Sequence, residues 1–350
     1  MMPPPGMMPP PMFMMPPPPK RERGFARGIF LTLAMTVFGL SLSLNVYLLV
    51  ASGLLSGGSS RLTNVIEGDP TQKVAVLPIN GAIFDDTAIR FSRWISQVEK
   101  DDAVKALVIE VDSPGGSVTA SDEIWHRLRQ FKADHPNMPV VVAQSGLAAS
   151  GGYYVSCAGD YIIAQPSTLT GNIGVLLPQY NVSQLFDKWG IKETTITSTG
   201  ATFKNAGSMF QPERAEDRAY LQDIADKAFA QFKDVVAQGR QGKLRKPLEE
   251  VANGKIFTAT DAKALGLIDD IGYKHDAYQY AATKAGLDKR KITVVKYQDP
   301  PSFFGIVTGK SNVGAAGAES SGVNVGGVNI DASAVRELTA PRLLYLWRGH

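Results

Sequence analysis

Cysteine is almost absent from this chain, in which Cys157 is the one thiol among 350 residues. A single cysteine excludes an internal disulfide and any cysteine-rich metal cluster. Histidine is also scarce, at four residues, and the sequence has neither a His-x-x-x-His pair nor a phosphate-binding P-loop. The sequence therefore implies no metal, no nucleotide and no other cofactor. Free cysteine is usually buried, so we expect Cys157 to be a packed, unreactive thiol.

A large excess of one charge is also missing. The formal net charge is +3, and much of it comes from Lys20, Arg21, Arg23 and Arg27, which precede an apolar segment. The remaining charges nearly balance. A nucleic-acid-binding surface usually carries a basic patch or stripe, so we expect no nucleic acid partner.

Charged side chains are absent from Gly28 to Leu55. This stretch is longer than the ~20 residues that cross a bilayer, and it predicts one transmembrane helix. The basic cluster precedes it and the next basic residue is Arg61. The positive-inside rule then predicts a single-pass protein of the inner (cytoplasmic) membrane, with a cytoplasmic N-terminus and a periplasmic or otherwise extracytoplasmic folded part. A cleaved signal peptide is the alternative, although its apolar region is usually only ~7–15 residues long.

Composition divides the chain into five segments. The N-terminal tail is rich in proline and methionine, a composition that cannot build a packed core. The C-terminal tail is rich in glycine but ends in an apolar patch, which we expect to dock on a neighbouring subunit or to lie near the functional cleft. The segments are the tail 1–27, the anchor 28–55, a linker 56–72, one folded domain 73–297 and the flexible tail 298–350.

Short apolar runs alternate with helical patterns inside the folded domain. Ile124, Leu128 and Phe131 make one helical stripe, and a longer stripe runs from Leu221 to Val235. Alternation of strands and helices with short connections predicts an α/β fold with a mostly parallel sheet and flanking helices. The four runs that read as strands buried on both faces are Val74–Leu77, Ala106–Val111, Pro139–Ala143 and Tyr161–Ala164.

Two glycine-rich turns follow two of these strands. Gly115 and Gly116 precede the Ile124 helix, and Ser150 and Gly151 follow the run that starts at Pro139. The carboxyl ends of parallel strands share one edge of a sheet, where such folds build their sites. The first turn alone could be an ordinary strand-to-helix connection. The two together predict a site in which a serine hydroxyl faces backbone N–H groups.

These turns and four further motifs resemble the signal peptide peptidase A family, also called protease IV, whose fold is shared with Clp protease and the crotonases. The resemblance covers residues 73–275. Each motif alone is a weak signal, but all of them together in this order are a strong one. They are Asp112–Gly116, Ala149–Tyr154, Thr170–Val175, Phe203–Asn205, Gly254–Thr258 and Ala262–Asp269.

The resemblance implies a serine peptidase with a Ser-Lys dyad. Ser150 would be the nucleophile and Lys204 the general base, while Gly151 N–H and an amide of the Gly115-Gly116 turn would form the oxyanion hole. A lysine acts as a base only when it is neutral, which burial favours. No histidine stands at a position that would match Clp-type Ser-His-Asp catalysis.

One position departs from the family pattern. The family usually has serine where this chain has Asn172, and that hydroxyl is thought to orient the lysine. An amide oxygen can accept a bond from the lysine amine, so we expect Asn172 to take the same role. Tyr153 and Tyr154 either pack on a helix face or line the substrate cleft. Ser113, Ser145 and Ser156 are expected to be structural.

The sequence thus predicts a membrane-anchored serine endopeptidase that hydrolyses signal peptides or similar peptides, bound as an extended strand along a sheet edge. One serine-lysine domain is present, and the resemblance implies a homo-oligomer in which Lys204 of one protomer serves Ser150 of its neighbour. Two alternatives stay open: an inactive membrane scaffold or chaperone of the same fold, and a crotonase-like acyl-CoA enzyme.

Overall fold

The computed structural model describes residues 23–51, 61–299, 323–325, 328–330 and 343–348. The chain divides into an N-terminal unit up to Gly58 and a second unit from Ser59 onward. The predicted tail 1–27 lies outside the described residues except for its last five, and so does most of the tail 298–350.

The N-terminal unit is described as one helix, α1, Arg23–Ala51. Gly28–Tyr47 is long and apolar enough to cross a membrane, with a mean hydropathy of 1.9. Apolar side chains such as Phe30 and Met35 are exposed along it. The helix agrees with the predicted span 28–55, whose last four residues lie outside the described part of the chain.

The second unit alternates strands and helices. Its helices are α2 Asp85–Val98, α3 Val118–Asp134, α4 Gly151–Ser156, α5 Ser183–Lys188, α6 Ala215–Gly239, α7 Leu248–Val251, α8 Ala259–Leu265 and α9 Lys274–Lys284. Its strands are β1 Arg61–Ile66, β2 Asp69–Asn80, β3 Val104–Ser113, β4 Gly115–Ser117, β5 Val140–Ala149, β6 Tyr161–Ala164, β7 Leu169–Gly171, β8 Ile256–Thr258, β9 Asp270–Ile271, β10 Ile292–Gln298, β11 Val323–Val325, β12 Val328–Ile330 and β13 Leu344–Leu346.

One nine-stranded sheet organises this unit, in the order β1-β10-β2-β3-β5-β6-β9; off this path, β7 pairs with β5 and β8 pairs with β7. All neighbours along that order are parallel except β1 and β10. The predicted α/β class with a mostly parallel sheet is confirmed. All four predicted strands lie in the sheet, within β2, β3, β5 and β6, apart from Pro139, which directly precedes β5.

The central strands of the sheet are buried on both faces, as their apolar runs predicted. Along β3, Leu107 and Ile109 enter a large core, whereas Ala106 and Val108 enter a smaller one on the opposite face. Successive side chains of a strand point to opposite faces, so one apolar run supplies both cores. Helix α9 covers the smaller core through residues such as Ala277 and Ala281.

The sheet begins earlier than the predicted domain boundary at residue 73. Strand β1 starts at Arg61 and pairs with β10, so part of the predicted linker 56–72 belongs to the sheet. Its side chains Leu62 and Val65 are exposed. An exposed edge strand needs no continuous apolar run, which is why the sequence pattern gave no signal for it.

The C-terminal apolar patch also joins the fold. Strand β13 pairs antiparallel with β4, the short strand of the first glycine-rich turn. Tyr345 is fully buried. The described part of this patch therefore lies at the edge where the sequence predicted the site.

Candidate active site

Ser150 stands at a sharp turn between β5 and α4. Its φ of 54° and ψ of −115° are rare for a residue with a side chain. Such strained backbone persists only where the surroundings hold it, and it occurs often at active sites. The side chain is 1% exposed, and its Oγ has no hydrogen-bond partner among the residues that the structure describes. A buried hydroxyl without a partner is costly in a fold and is available for chemistry.

The second glycine-rich turn lies against the Ser150 turn. A Cβ built on Gly151 would lie 3.1 Å from Gly115 Cα and 3.2 Å from the Gly116 amide nitrogen. A Cβ built on Gly115 would lie 2.6 Å from the Gly151 amide nitrogen, and Gly115 also has a φ of +94°. The predicted meeting of the two turns is therefore present in the structure. Only glycine fits at both contact points, because any side chain would fill the space between the two backbones.

Ile83 holds strand β4 through two main-chain hydrogen bonds. The Ile83 amide donates to the Gly115 carbonyl at 2.9 Å, and the Ser117 amide donates to the Ile83 carbonyl at 2.8 Å. Ser117 then caps α3 by accepting from the Ala120 amide at 3.4 Å. The turn that carries Gly116 is thus fixed by main-chain bonds and a helix cap.

Lys204 lies on a turn outside regular structure, in the segment between α5 and α6. The Arg214 guanidinium donates to the Thr202 carbonyl at 3.0 Å, and the Phe203 ring packs on Tyr220 with centroids 4.9 Å apart. Lys204 itself is exposed. Within the described part of one chain its amine makes no hydrogen bond to Ser150. The structure therefore brings together Ser150, Gly151, Gly115 and Gly116, but it does not bond Lys204 to them.

Asn172 follows β7 and adopts a φ of 52°. Its side-chain amide donates to the Gly254 carbonyl at 2.6 Å, and its backbone N–H donates to the Lys255 carbonyl at 2.7 Å. These bonds join two of the sequence motifs, Thr170–Val175 and Gly254–Thr258. The Asn172 amide oxygen makes no bond to Lys204 within the described chain, and its role toward that lysine stays a prediction.

The two tyrosines after Ser150 have different surroundings. Tyr153 is buried and donates to the Leu267 carbonyl at 2.8 Å, so it belongs to the core. Tyr154 is also buried, donates to Asp122 Oδ1 at 2.6 Å and stacks on the Tyr345 ring with centroids 5.0 Å apart. Burial and the hydrogen bond to Asp122 raise the pKa of Tyr154 well above its usual value, so this hydroxyl stays protonated.

The other candidate serines lie in the frame of the site. Ser113 Oγ accepts from the Gly115 amide at 3.0 Å, and Ser156 Oγ donates to the Gly152 carbonyl at 2.8 Å. Ser145 is buried on β5 and its Oγ has no partner among the described residues. Ser145 lies inside strand β5, whereas Ser150 lies at the turn that follows this strand.

Sequence reasoning left the C-terminal apolar patch open between a neighbouring subunit and the functional cleft, and it did not predict that the patch forms a strand against β4. Tyr345 faces Gly116 in the β13–β4 pair, and the Tyr345 carbonyl oxygen would collide with a Cβ built on Gly115. The apolar patch signalled that the segment needs a partner surface. No local sequence pattern identifies β4 as that surface, because the pairing joins residues more than two hundred positions apart.

Comparison with known proteins gives two matching family models. The model of peptidase family S49 matches residues 132–288, and the Clp protease model matches residues 71–169. Both matched segments contain the Ser150 turn. The Clp match agrees with the predicted Clp-like fold.

Individual relatives agree with these models. A protein of Enterococcus faecium named "Putative signal peptide peptidase SppA" is 32% identical over 71% of this chain and 74% of its own length. The chloroplastic serine protease SPPA of Arabidopsis thaliana is 33% identical over 70% of this chain, and Protease 4 of Salmonella typhi is 33% identical over 67%. The chain spans only 36% and 38% of the lengths of these last two proteins.

Proposed function

Because the chain belongs to peptidase family S49, we propose that it is a membrane-anchored serine endopeptidase in which Ser150 is the nucleophile and Lys204 the general base. The observation that carries this proposal is the buried Ser150 hydroxyl, which stands at a strained turn and has no hydrogen-bond partner in the described part of the chain. The glycine pair of the other turn adjoins it, with backbone N–H groups close by.

In the proposed reaction, neutral Lys204 takes the proton of Ser150 as Oγ attacks a peptide carbonyl carbon. The oxyanion that forms is bound by the Gly151 N–H and an amide of the Gly115-Gly116 turn. Collapse breaks the C–N bond, and the lysine gives its proton to the leaving amine. Water then hydrolyses the serine ester with the same lysine as base, which releases the acid and restores both side chains.

The lysine is proposed to come from a second copy of the chain. Among the described residues of a single chain, the buried Ser150 hydroxyl has no hydrogen-bond partner, whereas Lys204 is exposed on its turn. Large apolar side chains are exposed in the same segment: Trp189 is 77% exposed, Ile196 94% and Phe203 43%. A neighbouring protomer that covers this surface would bury apolar area and would place Lys204 where the neutral amine is favoured.

The proposed substrates are signal peptides or similar peptides near a membrane. Helix α1 provides the length and hydropathy of one span, and a relative carries the name of a signal peptide peptidase. With the basic cluster on the cytoplasmic side, the peptidase unit would lie outside the inner membrane, where cleaved signal peptides remain. The inner-membrane location and this topology belong to the proposal.

The test is hydrolysis of a fluorogenic signal-peptide-like substrate by the full chain in detergent. We expect Ser150→Ala and Lys204→Ala to lose nearly all activity while they remain folded and assembled. Ser145→Ala is the matched control for the serine, because the Ser145 hydroxyl is also buried and makes no hydrogen bond within the residues that the structure describes. Lys192→Ala is the control for an exposed lysine of the same segment. Both controls should keep activity close to that of the unmodified chain.

Three outcomes would contradict the proposal. Activity that survives Ser150→Ala would remove the nucleophile. A folded, assembled chain without turnover or acylation of Ser150 would favour the membrane scaffold. Turnover of acyl-CoA thioesters that does not depend on Ser150 would favour the crotonase-like enzyme.

A further inference from the structure

The turn that carries Lys204 is closed by its own main chain. The Lys204 amide donates to the Ala201 carbonyl at 3.0 Å, and the Ala206 amide donates to the Phe203 carbonyl at 3.1 Å. Bonds between residues three positions apart give a turn its shape, but they do not set its place against the rest of the fold. The position of Lys204 therefore depends on what the turn contacts outside itself.

Arg214 connects this turn to helix α6. It directly precedes the helix, and its carbonyl accepts from the Arg218 amide at 3.1 Å. Its guanidinium donates to the carbonyl of Thr202, two residues before Lys204, at 3.0 Å. Because the turn is closed by its own bonds, a shift of the Thr202 carbonyl also shifts the backbone of Lys204.

The guanidinium is itself held in one plane by Asp217. Nε donates to Oδ2 at 2.7 Å, and the nitrogen that bonds Thr202 also donates to Oδ1 at 2.5 Å. Asp217 lies in the first turn of α6 and is 5% exposed, whereas the Arg214 side chain is about half exposed. Two parallel N–H···O bonds fix the direction of a guanidinium as well as its distance. A buried carboxylate thus aims the group that bonds Thr202.

Helix α6 is a rigid base for these bonds, because Phe232 and Val236 of this helix are buried in the large core. The Phe203 ring also packs on Tyr220 of α6, but these two side chains are 43% and 42% exposed. An exposed ring contact lets one ring slide over the other, whereas the bonds of a planar guanidinium are directional. The direction of the turn therefore comes from Arg214 rather than from the aromatic pair.

We infer that Arg214 is the positioning residue of the proposed base. Its guanidinium, oriented by Asp217, holds the Thr202 carbonyl and thereby places Lys204 where the amine reaches Ser150 of the neighbouring protomer. Arg214 then acts in the subunit that supplies the lysine and not in the subunit that supplies the serine. The inference rests on the proposed function and adds a residue to it.

The first experiment measures kcat and KM of Arg214→Gln and Arg214→Lys in the full chain in detergent, with the fluorogenic signal-peptide-like substrate. Misplacing a reacting group by ~1 Å can cost about 10²-fold in rate. We expect Arg214→Gln to lower kcat by about tenfold to a hundredfold, with KM changed by less than about twofold. Arg214→Lys should recover part of the loss, because an ammonium can bond Thr202 or Asp217 but lacks the planar fork.

Arg218→Gln is the matched control. Arg218 lies one helical turn after Arg214, its side chain is 75% exposed, and it pairs with Glu213 at 3.5 Å. An exposed pair of this kind contributes little, so kcat should stay within about twofold of that of the unmodified chain.

A second variant separates positioning from stability. Loss of Arg214 leaves the buried Asp217 carboxylate without its cation, which destabilises a fold. The double variant with Arg214→Gln and Asp217→Asn removes that unpaired charge. It should be folded and assembled, yet its kcat should stay as low as that of Arg214→Gln, because the bond to Thr202 is still missing. Full recovery of kcat in the double variant would overturn the inference.

Mixed assemblies show in which subunit Arg214 acts. In one mixture, Arg214→Gln is added to the Ser150→Ala subunit, which supplies Lys204 to a Lys204→Ala partner. In the other mixture, Arg214→Gln is added to the Lys204→Ala subunit, which supplies Ser150. The first mixture should lose activity by the same factor as kcat of Arg214→Gln, and the second should match the mixture without this change.

The outcomes separate this inference from the proposed function. Equal losses in the two mixtures would show that Arg214 supports the fold or the assembly, and a raised KM with unchanged kcat would show that it binds substrate; either result overturns the inference. If the mixture of Ser150→Ala with Lys204→Ala is inactive while the unmodified chain is active, the shared site fails, and kcat of the Arg214 variants decides the inference. If the unmodified chain cleaves no peptide, the proposed function fails and the inference fails with it.

Discussion

The amide N–H of Ser150 donates to the carbonyl oxygen of Gly171 at 2.8 Å. This bond ties the turn of the proposed nucleophile to the end of β7, one residue before Asn172. Gly171 has a φ of +88°, and a Cβ built there would lie 2.7 Å from the Phe257 ring. The position of Ser150 therefore depends on the backbone that also carries Asn172.

Asn172 offers a test of how the proposed base is oriented. Asn172→Gly removes the side chain but keeps the left-handed backbone accessible, whereas Asn172→Ser restores the residue that the family usually has. If the side chain orients Lys204, Asn172→Gly should lower kcat and shift the pH profile of kcat/KM, and Asn172→Ser should recover both. An unchanged profile for the glycine variant would show that the Asn172 side chain matters only for the turn.

Gly115 should tolerate no side chain in an active enzyme. Gly115→Ala places a methyl group 2.6 Å from the Gly151 amide nitrogen, in the space proposed for the oxyanion. We expect kcat to fall by about 10²–10³-fold, the effect of losing one oxyanion-hole donor. Gly146→Ala is the control, because its methyl group would make an ordinary 3.5 Å contact with Asp112. Equal activity of both variants, measured by initial rates, would exclude an oxyanion hole at this turn.

A buried carboxylate away from the site should control stability in acid. Glu110 is 2% exposed and accepts from Lys296 at 2.6 Å, from Lys274 at 3.2 Å and from the Tyr278 hydroxyl. Burial raises the pKa of Glu110, but the bonds from Lys296 and Tyr278 outweigh burial, and the pKa lies below its ordinary value of 4.5.

The sign of the acid effect follows from that lowered pKa. The stabilisation is complete above the unfolded-state pKa and is lost as the pH falls through the folded-state pKa. Glu110→Gln should lower the free energy of unfolding by about 3–5 kcal/mol at pH 7 and should flatten its decline in acid. Glu99→Gln breaks a more exposed pair with Arg127 and should cost about 1 kcal/mol or less. Urea unfolding at pH 7 and pH 4 measures both, and equal losses would contradict the account.

Cys157 should be unreactive in the folded chain. It is 2% exposed, and burial raises the pKa of its thiol to about 12. At pH 8 the thiolate that alkylating reagents attack is therefore scarce and inaccessible. Iodoacetamide should label Cys157 only after denaturation, as read by intact mass, whereas a cysteine introduced as Ser167→Cys at an exposed position should react at once. Rapid labelling of native Cys157 would show that this part of the core opens.

The sequence predicted the sheet best where its strands are buried on both faces. Val74–Leu77 is a continuous apolar run and Ala106–Val111 is one interrupted only by Glu110, because each strand supplies two cores. Strand β1 gave no such run, because it lies exposed at an edge. Within the site, the glycine-rich turns predicted that Gly115 lies close to Gly151. Both turns follow parallel strands, whose carboxyl ends share one edge of the sheet.

What could not be predicted depends on pairing between distant parts of the chain. Tyr345 fills a pocket built from α4 and α6, and no local pattern specifies such partners. Tyr154 was left open between packing and lining the cleft. The structure shows the packing, because its ring lies in the core and contacts Tyr345, and a role in lining the cleft stays a prediction.

The most direct test of the central claim is activity in mixed assemblies of Ser150→Ala and Lys204→Ala subunits, each inactive alone. If each site combines Ser150 of one protomer with Lys204 of its neighbour, random mixing should restore about one active site in four. No recovered hydrolysis in verified mixed assemblies would contradict a dyad shared between protomers.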